Sequence, residues 1–177
     1  MAATKASDRQ IMADVFAAIQ ADFTLAAASG VQPCFPSGND VLSVLANTTY
    51  FFDGQYILNT GATTHTTALA FALAGGASVT SFEYTAELWS AAANTISTSI
   101  SNTHVSGVAS KVLNATSTAV YTLIRFQGVA RINAGGTITP QINFSANPTG
   151  TNLMKVGSFI RFRQIGAGNI AAAGPWS

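Results

Sequence analysis

The stretch from Ala119 to Ala146, AVYTLIRFQGVARINAGGTITPQINFSA, limits the possible folds of this chain more than any other. Side chains of a strand alternate between two faces. On that period Thr122, Ile124, Phe126, Gly128, Ala130 and Ile132 share one face, and Tyr121, Leu123, Arg125, Gln127, Val129 and Arg131 share the other. Asn133-Ala134-Gly135-Gly136 supplies turn chemistry, since glycine takes positive φ without steric penalty. Thr137 to Ala146 reads as the return strand, with Ile138, Ile142 and Phe144 as its apolar set. The stretch is therefore expected to form a long hairpin. A hairpin this rich in β-branched and aromatic residues needs a second sheet over its apolar face.

Similar runs recur along the chain. Phe23–Leu25, Val31–Phe35 and Val41–Leu45 read as short strands, with Pro33 confining the second to an edge or bulge. Pro36 to Asp40 reads as a turn. In TYFFDGQYILN, from Thr49 to Asn59, Tyr50, Phe52, Gly54, Tyr56 and Leu58 alternate with Phe51, Asp53, Gln55 and Ile57. His65–Leu73 and Val79–Trp89 alternate too, joined at Gly75-Gly76. Strands are further expected near Thr95–Ile100, over Val105–Leu113 and over Gly157–Ile165. Short strands at regular spacing with turn signals between them predict an all-β, two-sheet sandwich of about eight strands, of the jelly-roll kind.

The two ends read differently. Ser7-Asp8-Arg9-Gln10 matches a capping box, and Ile11, Met12, Val15, Phe16 and Ile19 recur at helical spacing. An amphipathic helix is expected from about Asp8 to Gln20, docked as a lid or against a second subunit, with Phe16 buried in its stripe. At the other end, GAGNIAAAGPWS is too small-sided to build a core. It is expected to be an extended arm anchored on another surface by Trp176. The expected divisions are residues 1–22 for arm and helix, 23–166 for the sandwich and 167–177 for the tail.

Charge narrows the function classes. Only 8% of the 177 residues are charged, against about 25% in an ordinary soluble domain. Mean hydropathy is +0.32. A surface with so little charge suits a subunit that buries it against copies of itself. The net charge of +1 is too small for nucleic-acid binding as a main role, which needs clustered cations. Cys34 is the only cysteine, so an intrachain disulfide is impossible, and its neighbours Phe35 and Pro36 point to a small buried residue. No secretion signal is read in the first residues, and no apolar run approaches the roughly 20 residues of a membrane helix.

No residue pattern points to catalysis, a cofactor or a metal. Glu83 and Glu87 lie four apart on one strand face, roughly 13 Å by strand rise, beyond glycosidase geometry. His65 and His104, in Thr/Ser/Asn surroundings, read as solvent-exposed. Tyr50, Phe51, Phe52, Tyr56 and Phe71 read as core rather than as a sugar-stacking shelf. The candidate contact residues are Ile11, Val15, Phe16 and Ile19 of the helix, Trp176 of the tail, and four arginines. Arg125 and Arg131 share one strand face, as do Arg161 and Arg163, with Asp53, Glu83 and Glu87 as complementary carboxylates.

In order, TTYFFDGQYILNTGATTHTTALAFAL, RFQGVARINAGGTITPQINFSA and KVGSFIRFRQIG resemble a domain of tailed-phage structural proteins. That domain occurs in small head decoration (cement) proteins and at the tips of tail fibres. The resemblance covers roughly residues 45–166 and rests on strands and turns. It implies a jelly roll of the trimeric tumour-necrosis-factor-like shape, two glycine-turn hairpins, and a homotrimer in the virion, made in the host cytoplasm. The expected partners are its own copies and the major capsid protein or other virion proteins. At a fibre tip the partner would be a host surface glycan or receptor.

Overall fold

The structure, a computed structural model, describes residues 14–91, 99–113, 118 and 120–167. Thirteen strands form among them. The first six are β1 (Asp14–Ala18), β2 (Phe23–Leu25), β3 (Gly30–Pro33), β4 (Leu42–Val44), β5 (Thr48–Asn59) and β6 (Thr67–Ala74). β7 (Ser78–Ala91), β8 (Ser99–Ser106), β9 (Lys111–Val112) and β10 (Tyr121–Ala134) follow. β11 (Gly136–Phe144), β12 (Asn152–Met154) and β13 (Phe159–Ala167) complete them. They make two antiparallel sheets. The larger has eight strands in the order β1-β13-β5-β10-β7-β8, with β12 on β5 and β2 on β12. The smaller has five, β3-β11-β6-β9, with β4 also on β11. This is a β-sandwich.

Alternation along each long strand decides which residues make the core. On β5, Tyr50, Phe52, Tyr56 and Leu58 are buried, while Phe51, Asp53, Gln55 and Ile57 are half-buried on the outer face. Phe82, Tyr84, Ala86 and Leu88 of β7 and Ile124, Phe126, Ala130 and Ile132 of β10 complete the inner face of the larger sheet. Leu69 and Phe71 of β6 and Ile138, Ile142 and Phe144 of β11 face them from the smaller one. The rings of Phe52, Phe71 and Phe82 pack within 4.7–5.7 Å of each other, centroid to centroid. Two glycines make room for them. A β carbon on Gly128 would lie 2.2 Å from the Glu83 carbonyl oxygen, and one on Gly54 would lie 2.3 Å from the Phe126 ring. Cys34 is fully buried, as expected of a small apolar residue, and burial pushes its thiol pKa far up.

The expected hairpin around Gly135-Gly136 does not form. β10 pairs with β5 on one edge and β7 on the other, so it has no edge left for β11. β11 instead pairs with β3, β4 and β6 in the opposite sheet. Gly75-Gly76 behaves alike: β6 belongs to the smaller sheet and β7 to the larger. Both glycine pairs are therefore corners between sheets, and the corners abut. A β carbon on Gly136 would lie 2.5 Å from the Ala74 carbonyl oxygen. Gly75 and Gly76 have φ of 62° and 85°, a region that favours glycine.

The expected helix is also absent where the chain is described. Asp14–Ala18 is strand β1, paired with β13 from Asp14↔Arg163 to Ala18↔Phe159. Val15, Ala17 and Ile19 turn inward at period two, a pattern that helical spacing shares at Val15 and Ile19. The open edge of β13 provides backbone partners that outweigh the helix propensity of an alanine-rich segment. Phe16 consequently points outward, 58% exposed, with its ring 6.1 Å from that of Phe159. Residues 8–13, including Ile11, and the tail from residue 168, including Trp176, lie outside the described residues. Two strand expectations also shift. The segment from Ser99 to Ser106 is one strand, and Lys111–Val112 is a separate two-residue strand.

The edge of β5 carries two partners end to end. β12 covers Leu58 and Asn59, and β13 covers Thr48 to Gln55. Between them the Ile57 N–H donates to Ser158 Oγ at 2.9 Å, and the Lys155 N–H donates to the Ile57 carbonyl at 2.8 Å. A side-chain hydroxyl thus continues the ladder where the strand breaks.

Gly128→Ala should destabilise the fold by about 3 kcal/mol, because β7 backbone must move to admit the methyl group. Phe16→Asp should cost less than about 1 kcal/mol, because the side chain is exposed. Thermal or urea denaturation of both variants checks the ranking.

Candidate functional site

The outer face of the eight-stranded sheet collects most of the charge in the described residues. Register places the residues in rows across the strands. One row is Phe16, Arg161, Asp53, Gln127, Thr85 and His104. The next carries Phe159, Gln55, Arg125 and Glu87, and another carries Asp14, Arg163, Phe51, Val129, Glu83 and Ser106. Arg131 lies further along, between Thr49 and Ser81. All four arginines singled out in the sequence therefore share one surface. Asp22 and Lys155 meet at its margin, whereas Lys111 belongs to β9 of the smaller sheet and Asp40 to the segment before β4.

The side chains are held in place by each other. Arg161 grips Asp53 with two parallel bonds, Nε to Oδ1 at 3.0 Å and Nη2 to Oδ2 at 3.1 Å. Such bidentate pairs are the strongest of their kind. Arg125 donates from Nε to Gln55 Oε1 at 3.1 Å, and its guanidinium lies 5.6 Å from the centre of the Trp89 ring. Glu83 accepts from Ser106 Oγ at 2.7 Å and sits 3.2 Å from His104 Nε2. Arg163 Nε lies 3.4 Å from Asp14 Oδ1. Of the three carboxylates expected to complement the arginines, Asp53 pairs with Arg161, and Glu87 stands opposite Arg125 in register. Glu83 is engaged by His104 and Ser106 instead.

Two adjoining hollows open among these charged rows. One, of about 310 Å³, crosses β13, β5, β10 and β7 and is lined by Asp53, Gln55, Thr85, Glu87, Arg125, Gln127 and Phe159. The other, of about 300 Å³, is lined by Phe51, Glu83, His104 and Val129 and shares Thr85 and Gln127 with the first. A larger hollow, of about 470 Å³, lies beside β1, between Val15–Ala21 and the Pro36–Leu42 segment. Val15, Phe16 and Ile19 of the expected contact stripe line it.

His65 departs from expectation. It is buried, its ring packs edge-on to Phe144 at 5.2 Å, and Nδ1 lies 2.7 Å from the Thr63 carbonyl, which can only accept. His104 is exposed as expected. The described residues hold no group of three or more His, Cys, Asp and Glu side chains that could take a metal. Of the aromatic residues read as core, Tyr50, Phe52, Tyr56 and Phe71 are buried, and Phe51 lies on the outer face.

Sequence reasoning missed three contributors to the face. Asp14 was assigned to a helix, and Trp89 and Gln55 become partners of Arg125 only once β5, β10 and β7 are neighbours. Period two places Gln55 on the same strand face as Asp53 and Trp89 on the same face as Glu83 and Glu87, which is the available signal.

At the margin, the Asp22 carboxylate accepts from the Lys155 ammonium and from the Val156 N–H at 3.1 Å. These contacts, Lys155 first, hold its pKa below the ordinary carboxylate value of 3.8. A depressed pKa means that the unfolded chain binds the proton more readily, so the contribution is complete above the unfolded value and is lost as pH falls through the folded one. The melting temperature of Asp22→Asn should fall below that of the native chain at neutral pH, and the gap should close in strong acid. A gap independent of pH would contradict this account.

No family model matches the chain, and neither a curated protein nor a solved structure matches it.

Proposed function

We propose that the chain is a structural subunit of a tailed-phage virion, built as a jelly roll and assembled as a homotrimer that decorates and cements the head. One observation carries this reading: the order in which the strands are wound. With the β7–β8 pair set aside, the larger sheet reads β1/β2, β13/β12, β5, β10 and the smaller reads β3/β4, β11, β6, β9. Along the chain these eight units change sheet at every step but one, from β6 to β9 within the smaller sheet, an order that supports jelly-roll winding. β7 and β8 add a hairpin at the outer edge of β10.

The surface supports an assembly role. The outer face of the larger sheet carries Arg125, Arg131, Arg161 and Arg163 against Asp14, Asp53, Glu83 and Glu87, so it is electrically balanced and suits contact with another protein surface. Exposed Phe16 and Ile165 adjoin it. The partners in this reading are further copies of the chain and the major capsid protein. The second reading, a receptor-binding tip of a tail fibre or spike, is favoured by the two hollows on the same face, which are of a size to take part of a surface ligand.

Light scattering on the purified chain at micromolar concentration should give three times the 18.2 kDa chain mass. Labelled antibody on intact particles should cover the head. Monomer alone would overturn the trimer, and label confined to the tail would replace decoration by the fibre-tip reading.

A further inference from the structure

We propose that the outer face of the eight-stranded sheet is a binding site for a short neutral oligosaccharide, laid across β13, β5, β10 and β7 from Phe159 to Glu87. The inference rests on the second reading, in which this face stays open to a surface ligand, and names the chemical class of that ligand.

Shape is the first ground. The 310 Å³ hollow crosses four strands, a width of about 14 Å at normal strand spacing. It meets the second hollow at Thr85 and Gln127, so the two form one continuous depression. The strands crossed by the depression are interior ones, with both backbone edges paired. An extended peptide could not add itself there by main-chain hydrogen bonds.

Chemistry is the second. The lining offers carboxylates (Asp53, Glu87), carboxamides (Gln55, Gln127), a hydroxyl (Thr85) and a guanidinium (Arg125). Donors and acceptors are interspersed, which is what a ligand made of hydroxyl groups requires, since each hydroxyl both donates and accepts. Apolar surface is placed to meet the C–H faces of sugar rings: Phe159 at one end, and Phe51 and Val129 in the adjoining hollow. Charge selects against other ligands. Asp53 and Glu87 disfavour an anion, and Arg125 together with Arg161 disfavours a cation.

Preorganisation is the third. Asp53 is held by the two bonds from Arg161, and Arg125 by Gln55 and the Trp89 ring. Groups fixed in advance on rigid strands lose little entropy when a ligand arrives.

The full chain is titrated by calorimetry with maltotriose, cellotriose, mannotriose and tri-N-acetylchitotriose, and with 3′-sialyllactose as an anionic probe. At least one neutral trisaccharide should bind with a dissociation constant at or below about 1 mM. Arg125→Ala and Gln127→Ala should each weaken that binding at least about tenfold, with unchanged melting temperature and assembly mass. Lys111→Ala, on the other sheet, should leave it intact. The proposal fails if no neutral probe binds, if only the anionic probe binds, or if binding survives both substitutions. It also fails if either variant changes the assembly mass, because the face is then a contact between subunits. Trimer mass and antibody labelling are measured separately, so failure here leaves the assembly reading standing.

Discussion

Phe52 is where the sandwich is held together. Its ring stacks on Phe162 at 4.9 Å within its own sheet and meets Phe71 of the opposite sheet at 5.7 Å. Tyr84, Phe82 and Phe126 close around it. Aromatic pairs of this kind add to the stabilisation that burial alone provides. A cluster this dense sets conditions elsewhere. The residue paired with Phe52 across β10 is Gly128, and Gly54 faces the Phe126 ring, since larger residues would drive the strands apart. With the inner face closed in this way, the charged side chains of β5, β10 and β13 lie on the outer face.

The faces of the strands could be read in the sequence, but their neighbours could not. Tyr50, Phe52, Tyr56 and Leu58 were separated from Phe51, Asp53, Gln55 and Ile57 by period alone, and burial follows that division. Turn signals at Gly75-Gly76 and Gly135-Gly136 were also at true turns. A pair of glycines allows a chain to reverse either beside itself or over to another sheet, and both pairs here do the second. Local chemistry specifies the turn, while the choice of partner depends on which edges other strands have already taken. β1 fails to be a helix for a related reason, since the edge of β13, far along the chain, gives Asp14–Ala18 its backbone partners.

The same division runs through the outer face. The pairwise sharing of Arg125 with Arg131, and of Arg161 with Arg163, followed from alternation. That the two pairs belong to one surface follows from β5 lying between β10 and β13, and no local pattern encodes it. Asp53 was named as a partner by charge type, and the register puts it opposite Arg161. The adjoining hollows arise between side chains from four strands, so neither was visible in any one segment.

The sheet margins are short or interrupted. On one side of the larger sheet, β1 and β2 cover five and three residues with a break between them. On the smaller sheet, β3 ends at Pro33, which has no N–H to offer, β4 has three residues and β9 has two. β8, at eight residues, is the longest border among the described strands, while the strands inside reach fourteen. Most β proteins discourage edge-to-edge growth with lysine and other charges at their borders. A chain with 8% charged residues has few of these to use. Among the described strands every border but β8 is brief or broken, which leaves little edge to template a further strand, so colloidal behaviour rests on the outline of the sheets more than on electrostatic repulsion.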